Sequence, residues 1–169
     1  MPLSRRHLLA CLATCTAVLA ASPAALAQDK PKVVLTVSGK ISKTNAPGKF
    51  EFTMDMLAAL PQHSFTTLTP WYKEPRKFTG PLLRDVLAAA GVQGKLIKAV
   101  ALNDYKAELP VDDSTRFPVV LARLMDDKPM PVRDKGPLFI VYPYDSDEVL
   151  RSERYYNRSA WQLKSLEIE

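Results

Sequence analysis

Both cysteines of this 169-residue chain, Cys11 and Cys15, lie inside one apolar stretch near its start, residues 8–21. Whatever domain follows must therefore fold without a disulfide and without a thiolate to hold a metal. The stretch is preceded by Ser4, Arg5 and Arg6 and followed by Ala25, Leu26 and Ala27, the charged, apolar and small-residue order of a secretory signal peptide. Cleavage after Ala27 is expected, which leaves residues 28–169 as the working protein in the periplasm. The paired arginines suit a twin-arginine signal or an ordinary one equally. The apolar run is shorter than the ~20 residues that cross a bilayer, and no later run approaches it, so the exported product is expected to be soluble.

Removal of Arg5 and Arg6 leaves 21 basic against 18 acidic residues. That excess is too small and too evenly spread for a nucleic-acid surface. The remaining length suits one domain with one core, with no internal repeat and no low-complexity tract. Strands are predicted at residues 33–37, 49–53 and 64–69 from β-branched runs and alternation. Short helices are predicted at 55–60, stopped by Pro61, and at 81–90, with Pro81 in its first turn and Gly91 closing its end. Strands follow at 97–102 and 106–109 around an Asn103-Asp104-Tyr105 turn. Residues 119–125 read as strand or helix, with Asp126-Asp127 favouring a hairpin. A continuous apolar run at 138–142 reads as a central strand, residues 147–156 as a short helix, and 161–168 as a closing strand. Strands outnumber helices without regular alternation, so the fold class is α+β, a mixed sheet with two or three short helices. No Gly-rich phosphate loop occurs, which argues against a Rossmann or P-loop site.

Five segments in order carry a resemblance: Phe78-Thr79-Gly80-Pro81-Leu82-Leu83-Arg84-Asp85 and on to Leu87; Asn103-Asp104-Tyr105 through Pro110; Val120-Leu121-Ala122-Arg123 through Pro131; Gly136-Pro137-Leu138-Phe139 through Pro143; and Ser159-Ala160-Trp161 through Ile168. Together they resemble the molybdopterin-binding fold of the sulfite oxidase family. In catalytic members of that family a cysteine thiolate after the strand preceding the Phe-Thr-Gly segment binds molybdenum. Here the corresponding stretch, Phe65-Thr66-Thr67-Leu68-Thr69-Pro70-Trp71-Tyr72, has no cysteine, and a threonine hydroxyl is a poor substitute for that soft ligand. After the Gly-Pro-Leu segment, cofactor-loaded members carry an arginine and a Gly/Lys-rich phosphate loop. This chain has Phe139 and then the acidic Tyr144-Asp145-Ser146-Asp147-Glu148, which repels phosphate. The chain thus looks like the small stand-alone periplasmic relatives that bind pterins, some of which regulate membrane-bound enzymes of cyclic-di-GMP signalling.

A pterin is a flat bicycle with a donor-acceptor edge, so its site needs an aromatic face and a carboxylate or guanidinium. Trp71 and Tyr72 follow the strand where the thiolate would stand, and stacking by Trp71 is expected; the alternative is a tryptophan packing a loop. Asp104 and Tyr105 match the family's Asp-Gly-Tyr segment, whose tyrosine faces the active centre, although turn chemistry explains them as well. Tyr144 and Asp145 follow the central strand, where the carboxylate suits the pterin amino and N–H groups. Arg158 is the arginine placed by the resemblance, while Arg116 and Arg154 have no such support. Trp161 reads as core and His63 as exposed. There is no Cys nucleophile, no His pair for zinc and no nucleophile elbow, so catalysis is unsupported. The expectation is a periplasmic pterin-binding accessory or sensor protein with no tightly bound cofactor and no metal. It would act on the periplasmic domain of a membrane-bound signalling protein. The alternatives are a molybdopterin-dependent oxidoreductase and a partner-binding domain that has lost its ligand.

Overall fold

The computed structural model describes residues 31–169, and the expected signal peptide with its cleavage point lies outside them. In chain order the elements are β1 (Val33–Gly39), β2 (Lys49–Thr53), α1 (Met54–Ala59), β3 (Gln62–Thr67), β4 (Arg76–Pro81), α2 (Leu83–Ala89), β5 (Leu96–Ala101) and β6 (Lys106–Pro110). There follow α3 (Asp113–Arg116), β7 (Val120–Ala122), β8 (Leu124–Met125), β9 (Lys128–Pro129), β10 (Phe139–Val141), α4 (Glu153–Arg158) and β11 (Leu163–Ile168). Three 3-10 turns, Val132–Asp134, Tyr144–Ser146 and Glu148–Leu150, complete them. The class is α+β, as the sequence led one to expect.

A five-stranded sheet runs β2-β1-β11-β5-β6. The last strand enters its middle, parallel to β1 and antiparallel to β5, which makes the sheet mixed. Alternation puts Leu35, Val37, Ile97, Ala99, Leu166 and Ile168 on the buried face. A four-stranded sheet, β3-β4-β8-β9, and a two-stranded ribbon, β10-β7, supply the other layers. Between them sit Phe78, Leu121, Leu138, Phe139 and Tyr142, all fully buried.

Three local outcomes refine the sequence reading. Pro81 stays in β4, paired with Gln62, and α2 starts at Leu83. Leu82 caps α2 with no side-chain hydrogen bond; instead the Leu83 N–H donates to the Val119 carbonyl at 2.8 Å, so backbone from before β7 satisfies an end that lacks Ser, Thr or Asp. Asp126 and Asp127 both take left-handed backbone (φ 50 and 62) between β8 and β9, the pair of conformations that a two-residue hairpin needs. The helix expected at 147–156 divides. Asp147 caps the first 3-10 turn through Val149 N–H at 3.0 Å, and extended Ser152 separates that turn from α4.

Candidate functional site

Two loops meet where β3 and β10 end. The first, residues 67–72, carries Thr67 and Thr69 inward, both buried, and presents Trp71 to a cluster of rings. Trp71 lies 5.2 Å from Trp161, 5.4 Å from Phe139, 6.2 Å from Tyr156 and 6.3 Å from Tyr144, centroid to centroid, all edge-on. That spacing and tilt match the favoured edge-to-face geometry of aromatic pairs. The cluster holds the loop by packing, in place of the disulfide that the domain lacks.

The second loop follows β10. Tyr144 is 1 % exposed, and its hydroxyl meets Ser159 Oγ. Ser159 Oγ donates to the Tyr155 carbonyl at 2.9 Å; a hydroxyl has one proton to give, so the Tyr144 O–H is the donor in their short contact. Burial pushes the Tyr144 phenol up from its ordinary value. Asp145 points the other way and joins the two loops. Its Oδ2 accepts from Leu68 N–H at 2.7 Å, its own N–H donates to Thr67 Oγ1 at 3.1 Å, and Arg151 pairs with its Oδ1 at 3.3 Å.

Between the loops opens a cleft of about 340 Å³ lined by Leu68, Thr69, Pro70, Asp145, Arg151 and Tyr156. That volume is at the small end of the usual range for ligand pockets, suited to a single bicyclic ring system. Its wall offers an aromatic ring from Tyr156, a carboxylate from Asp145 and a guanidinium from Arg151. The Asp145–Arg151 pair leaves lone pairs and N–H groups on both partners for a ligand. A roomier groove, about 440 Å³, lies over β1 and β11. Its lining includes no aromatic ring and no carboxylate, so it lacks the chemistry for a polar aromatic ligand.

The seven residues singled out from sequence fall into distinct places. Asp145 lines the cleft, Trp71 backs Tyr156 edge-on, and Tyr144 supports them from inside, fully occupied. Tyr72 stands next to Trp71 but turns toward Phe78, Arg76 and Lys135. Asp104 and Tyr105 lie apart, in the β5–β6 turn. Asp104 has left-handed backbone (φ 64), and Lys164 Nζ at 2.6 Å holds its carboxyl below the usual range. Tyr105 N–H donates to Asn103 Oδ1 at 3.2 Å. Among the described residues no hydrogen bond, ion pair or ring contact joins either of them to the Trp71 cluster, and turn chemistry accounts for both.

Arg158 has a structural task. Its Nη1 pairs with Asp113 Oδ2 at 2.8 Å, and the buried Tyr142 hydroxyl donates to the same oxygen at 2.8 Å. The pair neutralises a carboxylate that is otherwise cut off from water, and it points away from ligand binding. Burial first, then the Asp113 charge, raises the Tyr142 phenol far above its ordinary value. Sequence reasoning missed Tyr156 and Arg151. The available signal was the 3-10 turn capped by Asp147, which folds residues 148–156 back over Asp145.

The donor set does not fit a molybdenum centre. No cysteine stands among the described residues. The two buried threonine hydroxyls of the first loop are committed to the backbone: Thr69 Oγ1 accepts from Trp71 N–H at 3.4 Å, and Thr67 Oγ1 accepts from Asp145 N–H. Nor do three His, Cys, Asp or Glu side chains come together among the described residues.

Comparison with known proteins identifies the family and the fold. The family model described as oxidoreductase molybdopterin binding domain matches residues 23–145. Among solved structures the chain is similar to the sulfane dehydrogenase SoxCD from Paracoccus pantotrophus, at 20 % identity and a TM-score of 0.60. The match covers 79 % of this chain and 37 % of that one, so the chain spans little more than a third of that relative. The likeness is one of fold. No curated protein matches the chain.

Proposed function

This chain belongs to the oxidoreductase molybdopterin binding domain family, and from that premise we propose that it is a pterin-binding accessory protein, recognising the ring without a catalytic metal. The observation that carries the reading is the cleft itself: an aromatic wall at Tyr156 backed by Trp71, and a paired Asp145 and Arg151 at its rim. In this reading the Asp145 carboxylate accepts from the amino group and ring N–H of the pterin, the Arg151 guanidinium donates to its carbonyl, and Tyr156 covers a ring face. A metal bound to the same ligand would need a soft anchor that the first loop does not offer.

Two wider parts of the proposal rest on sequence alone. Residues 4–27 have the order of an export signal, which supports work in the periplasm. The resemblance to small periplasmic pterin binders suggests a membrane-bound signalling partner of the cyclic-di-GMP type, to which the domain would report ligand occupancy. Co-purification of the mature protein with the periplasmic part of that partner, present with pterin and absent without it, tests this step.

Family and fold also favour a second reading, a molybdopterin-dependent oxidoreductase. Purifying the protein from a host that makes the cofactor, then assaying pterin and molybdenum in the same sample, separates the two. Pterin without molybdenum supports the proposal; one molybdenum per chain overturns it.

A further inference from the structure

The groove over β1 and β11 takes no part in pterin recognition. It measures about 440 Å³, and six of the residues that line it are apolar: Val33, Val34, Leu102, Val132, Pro137 and Leu163. Val33, Leu102 and Val132 are 41 %, 46 % and 50 % exposed, three of the six large apolar side chains that the described residues leave open to water. Exposed apolar side chains scattered singly need no explanation, but their convergence on one concavity marks a binding surface. The groove is also built in advance. β1 and β11 pair in parallel beneath it, with Thr36 opposite Ser165. Leu102 follows β5, Val132 and Pro137 lie between β9 and β10, and Gln162 fastens both stretches to the sheet. Its carbonyl accepts from Leu102 N–H at 2.8 Å, its Nε2 donates to the Val132 carbonyl at 2.7 Å, and its N–H donates to the Lys135 carbonyl at 2.9 Å. One left-handed residue (φ 51) thus holds the lining in place, which spares a ligand the cost of ordering it.

Size and charge define the occupant. Ten residues line the groove, against the roughly 20–30 a side of a stable protein interface, so it suits a small molecule and not a docked domain. A methylene takes about the space of a water, roughly 30 Å³, so the 440 Å³ groove holds one aliphatic chain on the order of ten carbons. A two-tailed lipid exceeds it. The only charged residues in the lining are Lys32 and Lys164. Lys164 is engaged by Asp104 at 2.6 Å, whereas Lys32, just before β1, makes no ion pair among the described residues. The site offers one uncompensated positive charge beside an apolar trough, the complement of a chain with one anionic end.

We infer that this groove binds a medium-chain fatty acid, with the alkyl chain over Val34, Leu102, Val132 and Leu163 and the carboxylate at Lys32. The inference is independent of the pterin reading, since it uses no residue of the Asp145–Arg151 cleft.

Nuclear magnetic resonance titrations of the isotope-labelled mature protein test it, using hexanoate, octanoate and decanoate below their critical micelle concentrations and octanol as the uncharged counterpart of octanoate. Saturating amide shifts are expected at Val33, Leu102, Leu163 and Ser165, while the amides of Leu68, Asp145 and Arg151 stay still. Half-saturation by decanoate is expected below about a millimolar. With about half of each added methylene buried, every two-carbon step tightens binding about fourfold. Octanoate binds about threefold more tightly than octanol, the scale of one exposed charge pair, and Lys32→Gln removes that difference while leaving octanol unchanged. Leu102→Glu and Val132→Glu each place a carboxylate in the trough and weaken octanoate about tenfold or more. Both side chains are about half exposed, so each variant keeps the wild-type fold, which circular dichroism checks; the chain-length series and the shift map need no variant. Affinity that ignores chain length, shifts that fall outside the groove, equal binding of octanoate and octanol by the wild type, or octanoate binding that survives both glutamate substitutions overturns the inference.

Discussion

Arg158 and Asp113 show how one ion pair commits side chains that sequence alone leaves free. Removing the guanidinium leaves a buried carboxylate and the Tyr142 hydroxyl sharing one deprived site. Breaking a buried pair from one side costs ~3–5 kcal/mol, so Arg158→Met should lower unfolding free energy by about 3 kcal/mol, and Asp113→Asn in the same chain should restore part of it. Denaturant melts of the two variants measure both effects. Tyr156→Leu makes the opposite test: it keeps apolar bulk beside Trp71 and removes the ring face, so stability should change by less than about 1.5 kcal/mol while pterin affinity falls about tenfold, the upper range for one aromatic pair. Of the individual site residues, Asp145 and Trp71 were legible because they flank predicted strand ends. Arg151 and Tyr156 were not, since their approach to Asp145 depends on a helix that breaks at Ser152.

Gly80 shows what the elements demand of one another. A Cβ built there would stand 2.0 Å from the Leu121 carbonyl oxygen, because β4 passes β7 with no room for a side chain. Gly80→Ala should therefore cost roughly 1–3 kcal/mol, the usual penalty of overpacking a tight contact, and thermal denaturation reads it directly. Gly91 differs: it ends α2 at φ 63, a helix-closing role that Gly at that position predicted. Periodicity located β1, β2, β5, β6 and α2 closely, because each is long enough for alternation or a one-sided apolar stripe to show. The strand β4 was passed over as a motif and not read as an element, since Gly80 and Pro81 break every strand preference while pairing with β3 nevertheless holds. The closing strand was started two residues too early: Gln162 takes left-handed backbone (φ 51), so regular pairing starts at Leu163, although Trp161 still bridges Phe139.

At the scale of the molecule, two phenols tie stability to alkaline pH. Tyr142 and Tyr144 are raised above their ordinary value of 10.0, by burial in both cases. An unfolded chain releases these protons above about pH 10 and the folded chain keeps them, so above that pH the unfolded state binds fewer protons and is favoured. Stability is unaffected by either group below pH 10, and above it each should remove about 1.4 kcal/mol per pH unit. Tyr144→Phe should make that slope shallower, by up to about 1.4 kcal/mol per pH unit, in melts followed between pH 9 and about 11; a slope equal to the wild type would show that Tyr144 titrates freely.

The fold class and the family were legible from five ordered segments, and the cleft became visible only once residues 148–156 were seen to fold back over the Asp145 loop. The proposed function requires this cleft to recognise a pterin ring through Asp145, Arg151 and Tyr156 without a metal. Calorimetric titration of the metal-free mature protein with a reduced pterin tests it most directly. One ring is expected to bind per chain in the micromolar range and about tenfold or more weakly in Tyr156→Ala; no binding up to about a millimolar pterin would rule out recognition in this cleft.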